Sequence, residues 1–168
     1  RVAGELGGGT PIRYDRSQVF PLPEQSDESV DPIVAATERV TREFCVGESV
    51  SHDLLKGCLR AARQPLLREI LSRLVDDEKR HAGFGWLFLD WAAPQLDARS
   101  RARVRRSAAL AVAKVERIVT SLETAPRDVI SPLGMIGAMG RDAYAACARR
   151  AIELRVRKRL DRFGLTPA

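Results

Sequence analysis

Aromatic side chains make up only 5% of this chain, lysine supplies four of its 28 basic residues, and histidine occurs twice. No run of about 18 apolar residues occurs, which excludes a membrane-spanning helix. Arg1 to Thr10 lacks the apolar segment of a secretory signal, so the expected compartment is the cytoplasm. Cysteine is scarce and odd in number, at Cys45, Cys58 and Cys147, with no Cys-x-x-Cys pair. A zinc ribbon or a disulfide framework is therefore not expected, and the three read as small buried apolar residues in a reducing compartment. Acidic residues fall short of basic ones, 22 against 28, leaving a net charge of +6. Such a balance invites a nucleic-acid partner. The excess is carried by arginine beside abundant alanine, the mark of a GC-rich genome, and we read no nucleic-acid partner from it.

What is present fits one helical domain. A length of 168 residues supports a single core, and 45% hydrophobic with 30% charged residues is ordinary for a globular chain. Alanine, leucine and arginine, all good helix formers, dominate. Residues 1–30 carry Gly7 to Gly9, Pro11, Pro21 and Pro23 and no period, and read as an extended Gly/Pro-rich linker or arm. Residues 31–165 read as the helical domain. Its first helix begins at Asp31-Pro32, an N-cap followed by proline at the first helical position. Ile33, Thr37, Val40, Phe44, Ser51, Leu55, Cys58 and Ala62 then recur at helical steps. Arg63-Gln64-Pro65 marks a turn. A second helix follows to about Ala93, closed by Pro94, with Leu67, Ile70, Leu71, Leu74, Ala82, Gly85, Phe88, Leu89 and Ala92 inward. A third spans Ala98 to Leu122, capped by Asp97, with Val104, Leu110, Ala111, Val115, Ile118 and Val119 inward. Pro126 and Pro132 bracket a loop, Leu133 to Gly140 has no assigned state, and a fourth helix spans Arg141 to Phe163 before Gly164. The fold class is all-α: an antiparallel hairpin packed by two further helices.

Three polar residues interrupt the apolar stripes of the hairpin. Glu48 lies between Phe44 and Ser51; Glu78 lies four after Leu74, with His81 three further on. A Glu-x-x-His pair at i and i+3 presents both groups on one helical face. Carboxylates on a core face are costly unless paired or bound to a cation. In an antiparallel hairpin, residues equidistant from the turn lie at the same height. The position midway between Glu48 and the Glu78/His81 pair falls within Arg63-Gln64-Pro65, a turn located from proline alone. The three groups are therefore expected to converge as a metal site. Carboxylate oxygens with one imidazole suit iron or manganese, and zinc less characteristically.

Cys45-Val46-Gly47-Glu48, followed by Asp76-Asp77-Glu78-Lys79-Arg80-His81-Ala82, resembles the C-terminal half of a bacterial ferritin-like domain, over about residues 32 to 93. That superfamily surrounds two metals with a Glu from each of two helices and Glu-x-x-His from each of two others. The resemblance implies that Glu48 bridges or terminates the metals, Glu78 bridges, His81 is a terminal ligand and Asp77 orients a histidine. It implies two irons per completed site, or manganese, and an oxidoreductase that reduces dioxygen or peroxide while oxidising Fe(II) or a substrate. The chain departs from the pattern because it holds only half of it: Glu116, Glu123 and Glu153 have no histidine three residues on. Three readings follow. The chain is the C-terminal piece of a longer protein, which the missing initial Met favours; or it forms a homodimer in which each protomer gives half a site, as encapsulated ferritins do; or it binds one metal weakly or none. A non-catalytic helical interaction module with a vestigial site, and a di-iron hydroxylase acting on RNA, are the alternative functions.

Other residues have plainer readings. His52, one turn after Glu48, is a further candidate nitrogen ligand set against a core-edge histidine. Glu43 reads as a solvated charge, and Trp86, Trp91 and Tyr144 as packing residues. The arginine-rich run Arg99 to Arg106 reads as a solvated helix start, and Arg149 to Arg159 as an amphipathic helix with a face for a partner.

Overall fold

The computed structural model describes residues 30–124 and 138–166, and among these it is all-helical, with four helices and no strand. The expected arm over residues 1–30 and most of the stretch from Leu133 to Gly140 lie outside the described residues. Helix α1 is continuous but built in three pieces: α-helical Pro32–Val40, a π-helical stretch Thr41–Glu48, and α-helical Ser49–Ala61. Helix α2 spans Pro65–Ala92 with proline at its start, and a 3-10 turn, Ala93–Gln95, carries it through Pro94. Helix α3 spans Ala98–Thr124. Helix α4 comprises Arg141–Ala151, a second π-helical stretch Ile152–Arg157, and Lys158–Asp161. No helix among the described residues is long and apolar enough to cross a membrane.

The helix ends follow from local chemistry. Asp97 accepts a hydrogen bond from the Ser100 backbone N–H at 2.7 Å and caps α3, and this bond holds its carboxyl below the usual range. After α4, Gly164 adopts φ +67°, and the amides of Gly164 and Leu165 bond back to the carbonyls of Asp161 and Leu160. That pair of bonds is a Schellman motif, which needs a residue free to enter the left-handed region. Between α1 and α2, the extended residues Ala62 and Gln64 make the turn, and the Arg68 guanidinium donates to the last carbonyls of α1, on Leu59 and Ala62.

Helix α1 is the spine. It packs against α2 on one side and against α3 and α4 on the other, while α2 packs chiefly along α1. The α3/α4 contact is lined by small residues, with Ala108, Ala145, Ala148 and Ala151 all buried. This close approach corrects two expectations. Leu110 and Ile118, expected inward on α3, are exposed, and Ser107, Ala108 and Val112 are buried instead. A tight interface selects small side chains over large ones. On α1 the buried face is Val34, Thr37, Thr41, Cys45 and Ser49, rather than Ile33, Val40 and Phe44. The wider π-turn keeps residues four apart on one face through this stretch. On α2, Leu74 is exposed rather than inward, because that helix is covered chiefly by α1 alone.

The remaining expectations divide. Cys45 is buried as expected, but Cys58 and Cys147 are only partly so. The Arg99 to Arg106 run is not merely solvated. Arg101 donates to the carbonyls of Ala93, Leu96 and Phe163, joining the ends of α2 and α4, and Arg103 pairs with Glu38 at 2.9 Å. A cation among terminal carbonyls lies at the negative end of the helix dipole.

Candidate metal centre

The hairpin register sets the site. Arg68 meets Leu59 and Ala62, His52 meets the Val75 backbone, Phe44 meets Phe84 edge-on, and Trp86 Nε1 donates to Ser49 Oγ at 3.1 Å. The contacts of Arg68, Val75 and Phe84 with α1 run in antiparallel order, so Glu48 comes level with Glu78 and His81. One ligand atom from each of the three lies within 4.8 Å of the others. His81 Nδ1 and Glu78 Oε2 are 3.2 Å apart. The cluster opens to solvent: the His81 side chain is 58% exposed and that of Glu78 24%.

Close helix approach makes this possible. A Cβ on Gly85 would lie 2.7 Å from Phe44 Cβ and 3.0 Å from the Cys45 backbone nitrogen, so α1 and α2 touch through backbone one turn from the ligands. Glu48 closes the π-turn of α1. Such turns are rare and concentrate at functional sites, where they re-aim side chains.

Burial raises the Glu48 carboxyl above its ordinary range, and a hydrogen bond shared with the Glu78 carboxylate and that group's charge raise it further; His81 acts in the opposite sense. Two carboxylates at one site cannot both ionise freely, so a proton between them relieves the repulsion. With this geometry in place the comparisons can be stated. No family model, curated protein or solved structure matches this chain.

Two sequence candidates stand apart from the cluster. Asp77 is exposed, and among the described residues it makes no hydrogen bond to either histidine; Glu78 holds that place beside His81. His52 is not among the clustered groups. It lines a cavity of about 330 Å³ with Asp53, Lys56, Lys79 and Arg155, and its Nε2 is buried without a partner. Burial lowers its pKa below 6.5, Lys56 and Arg155 add to this, and Asp53 and the Val75 backbone oppose it.

The packing readings agree with what the structure places there. Trp86 is buried under Arg159, whose guanidinium carbon lies 5.3 Å from the ring centroid, and Trp91 packs edge-on to Phe88. Glu43 is exposed and pairs with Arg39. Sequence reasoning placed Gly85 on the inward face of α2 but did not foresee the backbone contact there, and it missed the π-turn.

Proposed function

We propose that this chain contributes one half of a ferritin-like di-metal carboxylate centre, with Glu48, Glu78 and His81 as ligands. A second copy of the chain, docked about a two-fold axis, brings the other half. The observation that supports this most is the convergence of a carboxylate from α1 with a Glu-x-x-His pair from α2. Two carboxylates and one imidazole favour iron or manganese. Burial and the neighbouring Glu78 carboxylate raise the Glu48 carboxyl, and a dication bound between the two would relieve that cost of charge. When bound, a pair of irons supplies redox chemistry toward dioxygen or peroxide, and the protein is then an oxidoreductase. Glu48 and Glu78 supply the negative charge, His81 a neutral nitrogen donor, and the exposure of His81 leaves the cluster open for a partner.

The second copy is suggested by the surroundings of the cluster. Leu74, Phe84, Phe88 and Trp91 lie on the same α2 face as Glu78 and His81, at steps of three and four residues on either side. Leu74, Phe84 and Trp91 are exposed. A copy lying antiparallel on this stripe covers them and delivers a second Glu and a second Glu-x-x-His, as an isologous interface must. The same exposed stripe favours the second reading, a helical interaction module with a vestigial site.

Thermal unfolding with Mn(II) separates the two. Saturating Mn(II) should raise the wild-type melting temperature by about 5 °C and leave Glu78→Gln and His81→Gln unmoved. An equal rise in all three contradicts the ligand set, and no rise in a folded wild-type dimer supports the interaction module.

A further inference from the structure

Away from the carboxylate cluster, α1 and α4 line an open cavity of about 570 Å³. Lys56 and Arg60 line it from α1, and Arg150, Arg155 and Lys158 from α4. Asp53 is the only carboxylate in its wall, and it is already engaged by Lys56 at 3.7 Å and by Arg155 at 3.3 Å. Among the described residues no carboxylate pairs with Arg60, Arg150 or Lys158. Some arginines elsewhere on α3 and α4 are paired with carboxylates: Arg149 with Glu123, Arg157 with Glu116 and Glu153, Arg103 with Glu38. The trough instead sets five cations against one carboxylate at a concave place, where low-dielectric walls concentrate their field on anything that enters.

We propose that this trough is a binding site for a small polyanion carrying two or more linked phosphate groups. Its volume falls in the range of small-molecule sites. Arg150 and Lys158 are eight residues apart, so their backbones are separated by about 12 Å along the helix. A single phosphate is too short to engage cations spread over two helical turns, whereas a chain of phosphates follows them. Arginine supplies paired donors for phosphate oxygens and lysine a point charge, and the trough has both. The proposal is independent of the metal reading, because no residue of the trough belongs to the carboxylate cluster.

Calorimetric titration of the full, metal-free chain with tripolyphosphate, at an ionic strength of about 0.15 M, tests it. One saturable site per chain is expected. The Arg60→Gln/Lys158→Gln double variant should weaken binding about tenfold or more. Leu154→Glu, which places a carboxylate in the trough wall, should abolish binding while preserving the helical circular-dichroism signal. The Arg105→Gln/Arg106→Gln double variant, with the same change in net charge on the far face of α3, should bind as the wild type does. The proposal is overturned if the wild type shows no saturable site, if both double variants weaken binding equally, or if orthophosphate binds as tightly as tripolyphosphate. A short oligouridylate that displaces tripolyphosphate at equal phosphate concentration would assign the surface to nucleic acid instead.

Discussion

At the scale of single residues, Glu48 and His52 face opposite fates although one helical turn separates them. Burial and the neighbouring Glu78 carboxylate raise the Glu48 carboxyl above its ordinary range. Burial and nearby cations lower the His52 imidazole below its own. For His52 the sign of the linkage follows directly. Its folded pKa lies below the unfolded 6.5, so the unfolded chain binds more protons in that window. The contribution of His52 to stability is therefore present above pH 6.5 and is lost as pH falls through that value toward the lower folded pKa. Urea midpoints at about pH 7.5 and pH 5.5 should fall with acidification, and the fall should be smaller in His52→Gln. An identical fall in both would remove His52 as the cause. The three ligand candidates were legible in the sequence because an acidic residue on an apolar stripe is conspicuous, and because the proline at the turn fixed their height. The separation of His52 from them was not. One helical turn does not tell whether a side chain leans toward the partner helix or past it.

At the scale of elements, the hairpin depends on a glycine. Gly85 brings α2 against the backbone of Cys45, and a methyl group there meets Phe44 Cβ at 2.7 Å and the Cys45 nitrogen at 3.0 Å. Neither atom can yield without moving α1. Gly85→Ala is expected to lower stability by about 1–3 kcal/mol, measured by denaturant unfolding. Gly57→Ala is the control. Its added methyl meets chiefly the end of the Met139 side chain, which can rotate away, so the loss should be smaller. If the two variants lose the same stability, backbone contact at Gly85 is not what limits the helix approach. The boundaries of all four helices were readable from Asp31-Pro32, Pro65, Asp97 and Gly164, since caps and breakers act locally. The inward faces of α1 and α3 were read less well. The π-turn of α1 shifts its helical phase, and a helix pair held together by alanines turns its leucine outward, as Leu110 of α3 shows. Hydrophobic periodicity records size and polarity; it does not record how closely two backbones approach.

At the scale of the whole molecule, α2 is covered on one side and bare on the other. It rests on α1, and its free face carries Leu74, Phe84 and Trp91 around a cluster of two carboxylates and a histidine. The sequence shows which residues of α2 are apolar, but it does not show what lies over them, so the uncovered face emerged only from the packing. A second copy docked there, as proposed above, would have a double consequence, burial of the stripe and completion of the proposed ligand set. The most direct test of this account is the metal content per chain after loading with Fe(II), determined by elemental analysis together with the mass in solution. The account predicts about one metal ion per chain in a dimer, since two half-sites share two ions, with Glu78→Ala losing the metal. A folded wild-type monomer that retains no metal would contradict it.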